Sequence, residues 1–486
     1  MLQNKDIAKT QEVKTFFKDT WRQPEFFIKQ LELLNFSKTS KLFKSVKQSG
    51  VPFWDLIKLI LALPFMDMGS LGSVFNGKTT VETKAQKDTY YRALTNQKMD
   101  WRNLLLLFVK RYLSLDRDFA TSGDDHKCLI FDDTDIEKRG KKIEGISKTF
   151  DHVGHRFIFG FKLLVAGYWN GSVFIPIDFS FHRENKDNKK NKYGLTKRQR
   201  KQQKKTKRNK GLPVATRFKE LNSKKTDMLV AMFKRINKRK IAVDYILTDS
   251  WFTSTKLINK LARVDKKVHL IGMYKYNSKL FIDGKEHSIK QLRKHKGKMS
   301  RARSLKLYYF EYVGQIDGTT VKVFLSKRGV NGAWHTIITT NTKLSFKKTM
   351  EIYSTRWTIE VFFKEAKQLL GLGKCQSTNF DVQLTQTTIT MVRYLLINLR
   401  HRMEAYQTIG GIFKDIKQDY QEYKLNQRLL LAIVDILEVL DLLVEDIDIN
   451  STARKLILYS ESLSFLNNES NLSNHSKSGT KLELSI

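Results

Sequence analysis

The chain is poor in cysteine and short of negative charge, and it has no long apolar run. Two cysteines in 486 residues, Cys128 and Cys375, supply neither a disulfide framework nor a zinc ribbon. Cys128 reads as a buried strand residue and Cys375 as a free thiol in a reducing compartment. The longest apolar stretches are short, as at Leu104 to Val109, or interrupted, as Trp54 to Phe65 is by Asp55 and Lys58. No transmembrane helix and no membrane partner are therefore expected. The first 20 residues carry mixed charge without a continuous apolar segment, so no secretory signal is expected either. A phosphate-cradling glycine loop is also missing, which argues against nucleotide hydrolysis.

What is present is cationic. Lys and Arg number 88 against 49 Asp and Glu, a formal charge of +39. A charge of that size calls for a polyanionic partner, and nucleic acid is the natural one, because each neutralised phosphate releases counterions. Hydrophobic residues at 41% provide a core, so disorder of the whole chain is excluded, and the length suits two to four structural units. Residues 186–210 hold 13 Lys or Arg against one Asp with no apolar period. They read as a solvated or disordered basic arm that tracks phosphates, with Lys197, Arg198, Arg200 and Lys201 as DNA contacts.

The hydrophobic period changes along the chain. Residues 1–120 read as a helical, DNA-binding region, with Asp100 placed to cap a helix from Trp101 to Tyr112. Within 121–276, apolar runs at Cys128–Phe131, Phe157–Trp169 and Val173–Phe181 read as strands, the last two joined by an Asn170-Gly171 hairpin. A helix over Lys225–Lys238, a strand ending at Asp249, a helix over Ser254–Arg263 and a strand over Val268–Met273 follow. That order predicts an α/β fold with a mixed sheet. Residues 277–343 read as a β-rich insertion punctuated by Asp-Gly pairs, and 344–400 as helical. A helical region over 401–465 and a disordered tail over 466–486 complete the chain.

Asp133 and Asp249 stand at the ends of apolar strands, where sites of α/β sheets are built. Residues 351–371, EIYSTRWTIEVFFKEAKQLLG, fit one helix on which Tyr353, Arg356, Glu360 and Lys367 share an arc of about 60°, with Lys364 beside them. An acid among phosphate-type ligands suits metal-dependent chemistry on a nucleic-acid backbone. Two Asp and one Glu can hold two Mg²⁺ through oxygen, with ions about 4 Å apart acting on the scissile phosphate. Trp334 could wedge between bases at a distorted DNA end, whereas Trp251 reads as packing behind the site.

The spacing Tyr353-x2-Arg356-x3-Glu360-x6-Lys367 follows Asp132-Asp133-Thr134 and Leu247-Thr248-Asp249-Ser250-Trp251-Phe252 in order. In these residues the sequence resembles insertion-sequence transposases of the "insertion sequence four" family, which are DDE transposases. The resemblance spans about residues 125–400. It implies a ribonuclease-H-like mixed-sheet catalytic core with a β-rich insertion, flanked by N- and C-terminal helical regions. It implies that Asp133, Asp249 and Glu360 are catalytic and bind two Mg²⁺ ions per active site, with Mn²⁺ as a substitute. Tyr353, Arg356 and Lys367 would contact DNA near the element end. The implied activity is cleavage of double-stranded element ends and joining of the 3′ ends to target DNA by a homodimer in a synaptic complex. A cytoplasmic, nucleoid-associated, bacterial setting goes with it. Of the adjacent acids, the resemblance implies Asp133, the one directly before Thr134; a regular strand would turn Asp132 and Asp133 to opposite faces. A ribonuclease-H-like nuclease without strand transfer and a catalytically inactive DNA-binding protein are the alternatives.

Overall fold

The strand that begins at Cys128 organises the fold. In the computed structural model, residues 42–418 are described, apart from 44–45, 48, 67, 69, 77–82, 84, 117–125, 153, 185–194, 276, 295–298, 330 and 404–407. Residues 30–413 form one compact unit, and 1–29 with 414–486 form a second. The start of the expected N-terminal helical region, the first part of the basic arm, most of 401–465 and the tail 466–486 lie outside the described residues.

Among the described residues four helices come first: α1 (Phe53–Ala62), α2 (Leu71–Asn76), α3 (Lys87–Leu94) and α4 (Trp101–Asp116). Asp100 starts α4 as expected, its Oδ1 accepting from Asn103 N at 2.9 Å. The sheet then begins with β1 (Cys128–Glu137), β2 (Ser147–Asp151), β3 (Arg156–Trp169) and β4 (Phe174–His182). The β3–β4 hairpin turns at Asn170-Gly171, where Asn170 Oδ1 accepts from the backbone of Ser172 and Val173 and Gly171 takes a φ of +110°. Helices α5 (Lys197–Gln202), α6 (Pro213–Glu220) and α7 (Lys225–Lys238) lead to β5 (Tyr245–Thr248). Then come α8 (Thr255–Ala262) and β6 (His269–Met273).

Residues 279–339 supply β7 (Lys279–Ile282), β8 (Lys285–Ser288), the short α9 (Ile289–Leu292), β9 (Ser300–Ala302), β10 (Leu307–Ile316), β11 (Thr319–Lys327) and β12 (His335–Thr339). They continue the core sheet. β12 lies antiparallel against β6, and the order runs β2-β3-β1-β5-β6-β12-β11-β10-β7-β8, with β4 on β3 and β9 on β10. The β1–β5 and β5–β6 pairs are parallel, so the sheet is mixed. Asp283-Gly284 and Asp317-Gly318 all have positive φ, the twist that two-residue hairpin turns require.

Helices α10 (Phe346–Ser354), α11 (Trp357–Gln368) and α12 (Phe380–Met403) close the unit. Sequence periodicity predicts one helix through 351–371; the structure divides it at Thr355-Arg356. There Arg356 N and Thr358 N bond three residues back, and the hydroxyls of Ser354, Thr355 and Thr358 bond to carbonyls in the same turn. Hydroxyls that compete for carbonyl oxygens tighten and bend a helix. Arg393 of α12 is buried and ties the helices together: its guanidinium donates to the carbonyls of Ile60 and Leu61 at the end of α1 and to Leu370 O at 2.8 Å.

The other buried polar knot centres on Asp178 of β4. It accepts from Arg102 of α4 at 2.9 Å and from Arg235 of α7 at 2.7 Å, while Arg102 also reaches Glu220 of α6 at 2.8 Å. Asp178, whose side chain is 1% exposed, thus registers β4, α4 and α7, and Arg102 adds α6 through Glu220.

Residues 195–210 overturn the expectation of a free arm. Thr196 and Gln199 form a reciprocal capping box on α5, and Leu195 and Gln203 are buried. Lys204 N donates to Lys142 O at 2.8 Å and Gln203 Nε2 to Ile146 O at 2.9 Å. Arg208, whose side chain is 7% exposed, sits between Glu144 (2.9 Å) and Asp381 (2.8 Å). Composition alone misses this because a paired and stacked arginine can be buried where an isolated one cannot.

Candidate active site

Register brings two acids to one end of the sheet. β1 and β5 pair in parallel with Ile130 opposite Leu247. Two residues further along stand Asp132, within β1, and Asp249, just past the end of β5. Neighbouring strands lie about 4.8 Å apart, and paired residues of a sheet share a face. Asp132 therefore stands level with Asp249, close enough for the two charges to act on each other. Asp133 points the other way: its Oδ1 is 2.9 Å from Lys225 Nζ, at the start of α7. The expectation that Asp133 joins Asp249 and Glu360 is corrected here. The acid beside them is Asp132, because strand alternation turns its neighbour through the sheet.

The third acid comes from α11. Arg356 Nη1 donates to Asp132 Oδ2 at 2.9 Å, and Nη2 donates to Glu360. One guanidinium therefore bridges an acid on β1 and an acid one helical turn onward. Asp249 acts on Asp132 through space and fixes its own loop by accepting from Trp251 N at 3.0 Å and Phe252 N at 3.1 Å. Burial pushes the Asp132 carboxyl up to about 7, against the opposing pull of Arg356 and of the backbone N–H of Asp133.

The neighbouring residues are engaged with the protein itself. Tyr353 donates from its hydroxyl to Thr248 O at 3.2 Å, and burial raises its phenol to about 12, so it stays neutral. That bond braces the residue just before Asp249. Lys367 Nζ lies 2.7 Å from Thr134 Oγ1, on the same face of β1 as Asp132, and burial lowers its ammonium. Lys364 is exposed on α11, away from these bonds. Trp334 precedes β12 and stacks on Phe310 at 6.1 Å, with Lys327 Nζ 5.1 Å from its ring. It leads into β12, and β6 lies between that strand and β5. Lys197, Arg198, Arg200 and Lys201 lie on α5, apart from the acids.

Two exposed tryptophans stand next to site residues, one of them expected to be packing and the other not anticipated. Trp251, read as packing, is 50% exposed, and Trp357, directly after Arg356, is 63% exposed. The ammonium of Lys225 sits 3.9 Å over the Trp251 ring, so Asp133, Lys225 and Trp251 form a chain on the rim beside Asp249. The signal available in the sequence was their adjacency to site residues; an indole at a site rim has no hydrophobic period to give it away.

Among the described residues no three His, Cys, Asp or Glu side chains are gathered closely enough to hold a metal ion as they stand. The donors nonetheless suit a hard divalent cation, since Asp132, Asp249 and Glu360 offer oxygen only. A positive group, the Arg356 guanidinium, already stands between two of them.

Comparison with curated proteins returns no match. Among solved structures, the chain is similar to the cryo-EM structure of the piggyBac transposase synaptic complex with hairpin DNA, with 11% identity, a TM-score of 0.44, and coverage of 82% of this chain and 81% of that one. The family model described as "Transposase DDE domain" matches residues 123–396, a span that holds Asp132, Asp249, Tyr353, Arg356, Glu360 and Lys367. The sheet and the acids thus fall within one matched family domain, and the chain belongs to the transposase DDE domain family.

Proposed function

We propose that this chain is an insertion-sequence transposase of the "insertion sequence four" type, one that cleaves the ends of a mobile DNA element and joins the freed 3′ ends to target DNA. Family membership supports DNA as the substrate class. The observation that carries the finer reading is the Arg356 bridge between Asp132 and Glu360, with Asp249 in register beside Asp132.

In this reading Asp132, Asp249 and Glu360 hold Mg²⁺ or Mn²⁺, and Arg356 keeps the acids together until the cations and the DNA arrive. When bound, divalent cations polarise the scissile phosphate and lower the pKa of attacking water. Water adds to phosphorus, the bond to the bridging 3′ oxygen breaks, and a free 3′ hydroxyl is left. That hydroxyl then attacks a target phosphate and displaces a target 3′ oxygen, so no covalent enzyme intermediate is needed. Once released from the acids, the Arg356 fork is suited to grip a phosphate in two places. Lys367 supplies a second cation on the same face. A homodimer holding two ends is part of the proposal, because the joining step needs two ends at one target.

The test is an end-bearing duplex incubated with the full chain and Mg²⁺, followed by capture of strand-transfer products. Cleavage with joining supports the reading. Cleavage without joining would favour the nuclease alternative, and no metal-dependent cleavage would overturn both.

A further inference from the structure

Away from the acids, the docked basic segment encloses a pocket of about 390 Å³. Its walls carry Arg183, Arg200 and exposed lysines from three chain segments: Lys204 and Lys205, Lys210, and Lys219 on α6. Besides Arg208, which is paired, six cations line it against a single carboxylate, Glu144. Glu144 is not free to neutralise them, because Arg208 holds it. The floor is half apolar: Ala215 and Phe218 line it, and the Arg208 guanidinium lies 4.3 Å over the Phe218 ring. The walls are fastened by Lys204 N donating to Lys142 O and by Thr206 N donating to the Glu144 carboxylate, the second at 2.8 Å. The lysines are therefore presented from a fixed backbone, and the cost of ordering a loose arm is absent.

We propose that this pocket is a second DNA subsite, which takes a sugar-phosphate step of the duplex flank while the acids hold the cleavage point. The inference rests on the reading of the chain as a transposase. The volume falls in the range of ligand pockets, about 300–1,000 Å³, and exceeds what one phosphate fills. Phosphate oxygens meet the lysines, and the apolar face of a deoxyribose meets Phe218. The contact is with the backbone, so it carries affinity and register without base sequence.

Position in the fold sets the spacing. Glu144 and Gly145, in the connection from β1 to β2, line the pocket, and Asp132 lies five residues before the end of β1 at Glu137. At about 3.3 Å per residue plus the turn, the separation is on the order of 20 Å. With about 3.4 Å per base pair, that places the contact roughly six base pairs from the cut.

The experiment uses the full chain carrying Lys204→Glu, Lys210→Glu and Lys219→Glu together, residues outside the acid cluster. Binding is measured without metal, over a range of salt, to two duplexes that extend about 4 and about 20 base pairs beyond the cut. The long duplex should bind about ten- to a hundredfold more weakly, and the slope of log affinity against log salt should flatten by roughly two to three. The short duplex should bind as before. Equal loss on both duplexes, or an unchanged slope on the long one, overturns the subsite. Thermal unfolding of the variant, together with a Lys→Gln version of the same triple change, separates lost contact from misfolding: the Gln version should show the same flattening, and its absence in a folded protein counts against the pocket. Binding in the absence of metal is read independently of cleavage, so failure of the proposed chemistry would leave this result standing.

Discussion

Arg356 donates to Asp132 at 2.9 Å across 224 residues of sequence. The pair fixes which of two adjacent acids faces the helix that carries Glu360. Asp132→Asn should reduce Mg²⁺-dependent cleavage about a thousandfold or more, the scale of losing one electrostatic element of a reaction site. Asp133→Asn should leave cleavage within about tenfold of the parent. Single-turnover rates on a labelled end duplex check both, and a Asp133 variant worse than the Asp132 variant would reverse the assignment of faces.

Removing the guanidinium should expose the charge it balances. Arg356→Ala leaves Asp132 and Glu360 facing each other and should lower stability by about 1–3 kcal/mol. Added Mg²⁺ should then raise the unfolding midpoint of the variant more than that of the parent, because the cation no longer competes with a built-in one. Equal midpoint shifts in the two proteins would show that Arg356 and the metal do not share a place.

The Lys225–Trp251 contact can be weighed directly. A double-mutant cycle with Lys225→Met and Trp251→Ala, followed by urea unfolding, should return a coupling of about 0.5–1 kcal/mol. Zero coupling would mean that the ammonium over the indole contributes nothing. Because Trp251 is half exposed beside Asp249, its emission should also change when end DNA binds.

Acid should loosen the knot around Asp178. Burial by itself would raise this carboxyl, but Arg102, Arg235 and Arg217 outweigh it and hold it at about 2. The unfolded value is about 3.9, so the stabilisation is complete above roughly pH 4 and is lost as pH falls toward 2. The difference corresponds to about 2–3 kcal/mol. Urea midpoints measured from pH 5 down to pH 2.5 should fall along this window. In Asp178→Asn that part of the slope should vanish, and the variant should be less stable by about 3–5 kcal/mol at pH 7, since its arginines are left buried without their carboxylate.

Much of the core was legible because local patterns and tertiary demands agree. Asn170-Gly171, Asp283-Gly284 and Asp317-Gly318 turn where their chemistry requires, and α7 runs over Lys225–Lys238, the span its apolar spacing predicts. The third acid and its cationic neighbours could be read from spacing, since Arg356 and Glu360 are four residues apart and meet on that account. The face of the first acid could not. Asp132 and Asp133 are the same residue type in one strand, and only pairing with β5 decides which one stands level with Asp249. The docking of 195–210 was hidden for a related reason. Glu144 and Asp381, which bury Arg208, lie far away in sequence and are ordinary acids until the fold brings them together. Nor did a helical wheel anticipate the joint at Thr355, where hydroxyl bonds to carbonyls override the apolar period.

The return of β12 to the edge of β6 has a consequence for synthesis. Asp132 and Asp249 emerge from the ribosome long before Glu360, and the helix that bears Glu360 follows only after seven further strands have been laid onto the sheet. A growing polypeptide that has reached β11 therefore carries Asp132 and Asp249 but not yet Glu360. In this architecture the three acids can meet only after every strand of the sheet has been synthesised.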